Sequence, residues 1–359
     1  MIGLTTDFVS ADLFPELPKV IIPPAPRKRK AAATKTSAKA QKPSVLAGAG
    51  PSTAAKQVPD AQTCADVLAA HPDFRVLRRL PVRLHWGDAA AAGLSRVLIL
   101  DTETTGLDQS KEKIIELAML RLHVDSRTGQ AFGPVEVFDQ LEDPGCAIPK
   151  EVVALTGITD ADVLGKRLDE ARIAQMLEGV DVVIAHNAAF DRPFCEARIA
   201  QFREIPWACS FADMDWKAQG RSSSKLETLA LDLGFFYDAH RAEMDCHALL
   251  AVLQAPLPKS PERNAMASML SAAGNPAFRL YATHAPFDGK DLLKARGYRW
   301  NAEQKVWSTR LADANALDAE CEWLKTQVYG GRSAVVAVEQ SDGYAKYSAR
   351  GGRMVQRQL

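Results

Sequence analysis

Two short, uninterrupted apolar runs, Val97–Leu100 and Val182–Ala185, lie in the middle of the chain, and each is followed at once by polar residues. Apolar runs of this length that include β-branched side chains are typical of strands buried on both faces of a sheet. The surrounding pattern predicts an early three-stranded meander, followed by helices that alternate with strands. We therefore expect an α/β fold in which helices flank a mixed sheet on both faces.

Longer patterns extend this picture on both sides of the two runs. Ile114–Val124 and Phe132–Leu141, joined by a turn at Asp125–Gly129, complete the predicted meander. A further short strand is predicted over Trp207–Ser210. Apolar spacing predicts five helices, over Pro149–Leu155, Leu168–Leu177, Ala188–Phe202, Leu226–Leu233 and Arg241–Leu253.

Acidic residues follow both apolar runs and recur in the last of these helices. Asp101 and Glu103 lie two positions apart at the end of the first run, so in an extended chain both side chains point to one face. Asp191 and Asp245 lie near the starts of two predicted helices, where a capping role alone would also suit Asp191. Four carboxylates that converge in space can hold two divalent metal ions and promote phosphodiester hydrolysis.

A histidine accompanies the last carboxylate. His240 lies one residue before the final helix and five residues before Asp245. Because the unperturbed pKa of histidine is about 6.5, this side chain can take a proton from water near neutral pH. Residues at the ends of the two strands are predicted to contact substrate, and they are Thr104, Thr105, Gly106, His186, Asn187 and Phe190. Phe190 suits either stacking on a base or the core, with the core favoured.

The three blocks resemble the three exonuclease motifs of the DEDD family, histidine subclass. This family includes the epsilon proofreading subunit of bacterial DNA polymerase III, ribonuclease T and oligoribonuclease. The matching positions are Asp101 and Glu103 in the first motif, Asn187, Phe190 and Asp191 in the second, and His240 and Asp245 in the third. The resemblance covers roughly residues 96–255, and none of the site positions departs from the pattern.

The resemblance implies an RNase H-like exonuclease fold and removal of nucleoside 5′-monophosphates from 3′ ends. It also implies two divalent metal ions, Mg²⁺ or Mn²⁺, as cofactors. Asp101 would contact both ions, Glu103 and Asp245 would complete one site, and Asp191 would support the other through water. His240 would act as the general base.

DNA is the expected substrate, at single-stranded or frayed 3′ ends, in replication or repair. The motifs do not separate DNA from RNA, because the phosphodiester is common to both. An exoribonuclease that trims RNA ends is therefore one alternative, and a non-catalytic nucleic-acid-binding or scaffold protein is another. The expected protein partner is a DNA polymerase or another replication or repair protein.

Charge and composition divide the chain into segments. Residues 17–59 contain nine basic and no acidic residues, which predicts a disordered N-terminal segment. The formal charge is +6 over residues 1–95, −11 over 96–255 and +5 over 256–359. Bound metal ions would offset part of the negative charge of the acidic centre, and the basic flanks could bind phosphate. The predicted order is a disordered basic segment (1–60), a short extension (61–95), the exonuclease domain (96–255), a linker (256–277), a small C-terminal α+β unit (278–330) and a tail containing glycine and arginine (331–359).

The C-terminal unit interleaves aromatic and basic residues in Gly297-Tyr-Arg-Trp300 and Lys305-Val-Trp307. This pattern suits stacking on single-stranded bases, which makes the unit a candidate nucleic-acid-binding domain. A core centred on tryptophan explains the same residues at least as well.

Cysteine usage and hydropathy bear on the compartment. The six cysteines include no Cys-x-x-Cys pair, which favours the reduced thiols of a cytosol over a disulfide framework or a structural zinc site. The sequence has neither a secretory signal nor an apolar run long enough for a membrane span. We expect a cytoplasmic protein, in bacteria on the strength of the resemblance.

Overall fold

The first part of the chain builds most strands of a mixed sheet. The structure is a computed structural model and describes residues 60–87 and 93–359. In chain order the first elements are α1 (Ala61–Ala69), β1 (Arg78–Arg79), β2 (His85–Trp86), β3 (Leu94–Thr104), β4 (Ile114–Asp125) and β5 (Ala131–Leu141). β3, β4 and β5 are antiparallel neighbours, which confirms the predicted meander. The basic segment predicted over 1–60 lies outside the described residues, apart from Asp60, which caps α1.

Helices then alternate with short strands. The next elements are α2 (Lys150–Thr156), α3 (Asp160–Val163), α4 (Glu170–Leu177), β6 (Val182–Ala185), α5 (Ala188–Arg198), β7 (Trp207–Cys209), α6 (Leu226–Asp232), β8 (Phe235–Phe236) and α7 (Ala242–Gln254). β6 pairs in parallel with β3 and β7, so the sheet has the order β2-β5-β4-β3-β6-β7. β1 and β8 form a separate parallel pair.

The alternation of side chains along β3 creates two cores, one on each face of the sheet. Val97 and Ile99 are fully buried in a cluster that includes Leu249 of α7. Leu98 and Leu100 are fully buried in a second cluster, which includes Phe194 of α5. Helices therefore cover both faces, as expected for a mixed α/β fold.

The direction of the strands determines where the polar residues meet. β3 and β6 run parallel, so their carboxyl ends reach the same edge of the sheet. β3 ends at Thr104 and β6 ends at Ala185. The polar blocks that follow the two apolar runs in sequence are thereby brought to one edge.

The remaining chain forms a second sheet. Its elements are β9 (Pro256–Leu257), β10 (Ser260–Asn264), α8 (Ala265–Gly274), β11 (Ala277–Ala282), α9 (Lys290–Ala295), β12 (Arg299–Asn301), β13 (Val306–Leu311), α10 (Ala314–Trp323), β14 (Val335–Ser341) and β15 (Arg353–Gln358). β9 and β10 form a hairpin, and the other five strands form an antiparallel sheet of order β12-β13-β11-β14-β15. This sheet has its own core, which includes Leu280, Leu293 and Val336.

The structure differs from the prediction in two C-terminal segments. The residues predicted as a linker, 256–277, contain the β9–β10 hairpin and α8, whose Met266 and Met269 are fully buried in the core beneath α7. Pro256 starts β9, which pairs with β10, and Asn264 caps α8. The residues predicted as a tail, 331–359, contribute β14 and β15, which complete the second sheet.

Within residues 60–87 and 93–359, no helix combines the length and the apolar character that crossing a lipid bilayer requires.

Candidate metal and catalytic centre

Three carboxylates meet where β3 faces α7. Asp101 and Glu103 lie on the same face of β3 as Val97 and Ile99, and α7 packs against this face. Asp245, in the first turn of α7, completes the group. Carboxylate oxygens of Asp101, Glu103 and Asp245 all lie within 4.8 Å of one another. This separation allows one divalent cation to contact all three side chains.

Asp191 approaches the same strand from the opposite face. It lies in α5 and is 2% exposed. The backbone N–H and the hydroxyl of Thr102 both donate to its Oδ1, at 3.1 and 2.8 Å. Asn187, with a φ of 77°, occupies the N-cap of α5, so the capping role considered for Asp191 is wrong.

His240 is tied to Asp245 through the backbone. The N–H of His240 donates to Oδ2 of Asp245 at 2.8 Å, and the hydroxyl of Tyr237 donates to Oδ1 at 2.9 Å. The His240 side chain is exposed, and its residue adopts a left-handed conformation with a φ of 64°. Tyr237 was not predicted as a site residue, and only its position three residues before His240 hinted at this contact.

Glu116, which was not predicted as a site residue, also lies beside the carboxylates. It lies on β4 directly opposite Glu103 and is fully buried. Its carboxylate accepts from the guanidinium of Arg241, at 2.8 Å for the shorter contact, and from the N–H of Ala242 at 3.0 Å. The available signal was a lone glutamate inside the apolar run 114–124, since a buried strand position rarely holds an acidic residue without a partner.

Burial and mutual repulsion raise the pKa values of the central carboxyls. Burial is the main cause of a pKa well above the usual range for Asp101, and the charge of Asp191 adds to it. Burial, followed by the charges of Asp245 and Glu116, raises the pKa of Glu103 to about 8. Burial raises the pKa of Asp191 to about 7, although the Thr102 hydrogen bonds oppose this shift.

This donor set fits a hard divalent cation such as Mg²⁺ or Mn²⁺. Such ions prefer carboxylate oxygens to nitrogen or sulfur ligands. A cation among these carboxylates would also relieve the repulsion that raises their pKa values. Asp101, Glu103 and Asp245 would hold one such ion.

A cavity of about 530 Å³ opens beside the carboxylates. Ten of the eleven predicted site residues line it, and they are Asp101, Glu103, Thr104, Gly106, His186, Asn187, Phe190, Asp191, His240 and Asp245. Thr105 is the exception, because it is 2% exposed and its hydroxyl donates to Glu112 at 2.6 Å. Its role is to hold the turn after β3, since the N–H of Lys113 donates to the same hydroxyl at 3.0 Å.

His186 is held as a neutral side chain at the wall of this cavity. Its Nδ1 lies 2.7 Å from the hydroxyl of Ser210, and its ring meets the edge of Phe211. Burial lowers the pKa of His186 to about 4. The ring is therefore neutral near pH 7, although a hydrogen bond with the backbone of Ser224 opposes this shift.

Apolar side chains outside the predicted site residues form another part of the wall. Leu107, Leu155 and Phe211 line the cavity and are 86%, 55% and 46% exposed. Exposed apolar residues grouped around a polar site are typical of a ligand-binding surface. Together with Phe190, they offer contacts suited to the flat faces of nucleobases.

Comparison of the sequence with known proteins identifies the family of this chain. Residues 98–253 match the family described as Exonuclease (RNase_T). The DNA polymerase III subunit epsilon of Treponema pallidum (strain Nichols) is 32% identical over 160 residues, which cover 42% of this chain and 71% of that protein. The same subunit of Aquifex aeolicus (strain VF5) is 30% identical over 155 residues, which cover 41% of this chain and 73% of that protein.

Among solved structures, one similar structure is Exonuclease X in complex with 5′ overhanging duplex DNA. The similarity covers 48% of this chain and 99% of the Exonuclease X chain, at 24% identity and a TM-score of 0.35. The family assignment rests on the sequence matches, which include the strand with Asp101 and the helix with Asp245. The chain belongs to the exonuclease family that includes the DNA polymerase III epsilon subunits, and residues 98–253 form its nucleic-acid exonuclease domain.

Proposed function

We propose that the protein is a metal-dependent 3′→5′ exonuclease that hydrolyses DNA and releases nucleoside 5′-monophosphates. The observation that carries this proposal is the convergence of Asp101, Glu103 and Asp245 within 4.8 Å beside one cavity. Asp191 and His240 line the same cavity, so all five predicted catalytic side chains border a single space.

The bound ions and the side chains of the site would have separate roles. Bound divalent ions would supply Lewis-acid stabilisation of the charge that develops on the phosphodiester oxygens. The imidazole of His240 takes the proton of the attacking water, which histidine does well near neutral pH. Tyr237 and the N–H of His240 fix both oxygens of Asp245, so the base and this carboxylate are positioned together.

The cavity wall would hold the 3′-terminal nucleotide. The exposed Asn187 amide offers hydrogen bonds to the sugar and phosphate, and the neutral His186 ring forms part of the wall beside it. The apolar residues Leu107, Leu155 and Phe211 offer surface to the base without reading its identity. An unpaired or frayed 3′ end suits this arrangement better than a paired one, since the base must leave its stack to reach the wall.

Relatedness favours DNA over RNA and favours a partner in replication. The two relatives described above are DNA polymerase III subunits. We therefore propose a role in DNA replication or repair in a bacterial cytoplasm, with a DNA polymerase as the expected partner.

Digestion of labelled strands tests the proposal. We would compare 5′-labelled single-stranded DNA, duplex DNA with a mismatched 3′ end and RNA, each with Mg²⁺, Mn²⁺ or EDTA. Asp101→Ala is the inactive variant, and Asp73→Ala, at a highly exposed carboxylate outside the cavity, is its matched control.

The expected result is metal-dependent shortening from the 3′ end by wild type and Asp73→Ala but not by Asp101→Ala. Preferential shortening of RNA would replace DNA with RNA as the substrate. Failure of both metals to support degradation of any strand would favour the non-catalytic alternative.

A further inference from the structure

A second cavity, of about 490 Å³, lies on the C-terminal sheet and shares no residue with the cavity beside the carboxylates. Three aromatic rings and two lysines dominate its lining, and they are Phe287, Trp300, Trp307, Lys290 and Lys305. We call this group the aromatic cavity.

Two of the three rings are much more exposed than a core requires. Phe287 is 77% exposed and Trp300 is 49% exposed. The core of the second sheet is closed without them, by residues such as Leu280, Leu293 and Val336. Large aromatic side chains left in water beside one another indicate a surface that binds a ligand.

The strand pairing gives the aromatic cavity a firm base. Trp300 on β12 is the direct cross-strand partner of Trp307 on β13, and their ring centroids lie 5.5 Å apart. Trp307 is partly buried against the core of the sheet. The exposed ring of Trp300 therefore rests on an anchored ring, so little ordering of side chains is needed when a flat ligand stacks on it.

The ionised side chains that line the aromatic cavity are lysines. The Lys290 ammonium lies 4.1 Å from the centroid of the Phe287 ring. No carboxylate lines the aromatic cavity, and among the described residues neither Lys290 nor Lys305 forms an ion pair. Two ammonium groups without acidic partners beside exposed rings match a ligand that combines flat apolar faces with negative charge.

We propose that the aromatic cavity binds unpaired nucleobases of a single-stranded nucleic acid, with the rings stacking on bases and the two lysines contacting backbone phosphates. This is a binding site separate from the metal centre, and it needs no hydrolysis. Single-stranded nucleic acid is favoured over a proline-rich peptide, the other common ligand of aromatic grooves, because a neutral peptide would leave both lysines without a counter-charge.

Binding measurements in EDTA test the site without cleavage. The full-length protein would be titrated into labelled oligothymidylate of about 12 nucleotides and into an abasic strand of the same length, with fluorescence anisotropy as the readout. The variants are Trp300→Ala, Phe287→Ala and the double variant Lys290→Ala/Lys305→Ala. Phe74→Ala, at a 54% exposed ring outside the aromatic cavity, is the control.

We expect Trp300→Ala and Phe287→Ala to weaken binding of the base-containing strand by about tenfold, with much less effect on the abasic strand. The lysine variant should weaken both strands and make binding less dependent on salt. Phe74→Ala should bind as wild type does. Equal losses on both strands for Trp300→Ala and Phe287→Ala, or no loss in any variant of the aromatic cavity, would overturn the proposal.

Photocrosslinking provides a second readout that needs no variant. A strand carrying 5-iodouracil, crosslinked to wild-type protein in EDTA, should yield adducts at Trp300 or Phe287 in mass spectra. Adducts confined to the cavity beside Asp101, or competition by a proline-rich peptide but not by unlabelled strand, would contradict it. Because neither readout requires turnover, this proposal and the proposed hydrolysis can fail separately.

Discussion

Glu103 and Glu116 face each other directly across β3 and β4, and Arg241 forms an ion pair with Glu116. Glu116 is fully buried and accepts from Arg241 and from the N–H of Ala242, the first residue of α7. It therefore fixes the start of the helix that carries Asp245. Its charge also contributes to the raised pKa of Glu103, after burial and Asp245.

Glu116→Gln should weaken metal binding without abolishing activity. The amide oxygen can still accept from Ala242, so α7 keeps its start, but one negative charge beside Glu103 is lost. We expect the Mg²⁺ concentration for half-maximal activity to rise several-fold, with a maximal rate close to that of wild type. Metal titration of the exonuclease rate measures this, with the exposed Glu262→Gln as the matched control. An unchanged metal requirement would show that Glu116 serves the fold alone.

Stability of the metal-free protein should fall as pH rises. In the unfolded chain Glu103 has a pKa near 4.5, whereas in the folded protein its pKa is about 8. A group whose pKa is higher in the folded than in the unfolded state stabilises the fold. This stabilisation is fully present below the unfolded-state pKa and is lost as pH rises through the folded-state pKa. Melting temperatures in EDTA should therefore decline from about pH 5 to about pH 9, and the increase caused by Mn²⁺ should grow over the same range.

Glu103→Gln is the control for this pH dependence. Its side chain does not ionise, so the decline in EDTA should become shallower and the Mn²⁺ effect smaller. A wild-type protein whose melting temperature in EDTA rises across this interval would contradict the assignment of raised carboxyl pKa values.

Variants of His240 and Tyr237 should distinguish loss of the proposed base from loss of a hydrogen bond that positions Asp245. His240→Ala removes the proposed base and should reduce the maximal rate by roughly 10²–10⁴-fold. Tyr237→Phe removes one hydrogen bond to Asp245 and should reduce the rate by roughly threefold to tenfold. Both variants should bind Mn²⁺, whereas Asp101→Ala should not.

Calorimetric Mn²⁺ titration beside single-turnover rates distinguishes these effects. The pH–rate profile of Tyr237→Phe should also shift, because the Tyr237 hydrogen bond lowers the pKa of Asp245 against the larger raising effect of burial. Equal metal binding by Asp101→Ala and His240→Ala would contradict the division of roles.

Local patterns predicted the elements that surround the site. The apolar run 182–185 predicted β6 with its observed ends, and the helices predicted over 226–233 and 241–253 lie within one residue of α6 and α7. Asp101, Glu103, Asp191 and Asp245 were predictable because each follows a strand or begins a helix in a spacing that a known family shares. The sequence thus predicted both the strand edge and the side chains that meet there.

Contacts between distant parts of the chain were not predictable in this way. The Glu116–Arg241 contact joins residues 125 positions apart, and nothing near Glu116 in sequence indicates its partner. β15 contains mostly polar, exposed residues, so it lacks the alternation that marks a strand, and only pairing with β14 makes it one. α8 follows a stretch with three prolines, and its apolar side chains, including Met266 and Met269, are stabilised by packing beneath α7.

Arg192 connects the segment after β14 to the exonuclease domain through hydrogen bonds. Its side chain is fully buried in α5, next to Asp191, and its guanidinium donates to Glu196 and to the carbonyls of Gly343, Tyr344 and Lys346. The carbonyl of Gly343 also accepts from the N–H of Trp207 in β7. Residues predicted as a tail are therefore bonded to the helix that positions a site carboxylate.

Arg192→Met should destabilise the protein by roughly 3–5 kcal/mol, because it removes the cation that is buried beside Glu196 and the donor to the carbonyl of Lys346. Arg192→Lys should recover only part of this loss, since an ammonium cannot reproduce the planar fork of donors. Chemical denaturation measures both variants, with Arg127→Met in the exposed β4–β5 turn as the control. Limited proteolysis should cut residues 342–352 first in Arg192→Met. A denaturation midpoint equal to that of wild type would show that the segment after β14 is held in place by the second sheet alone.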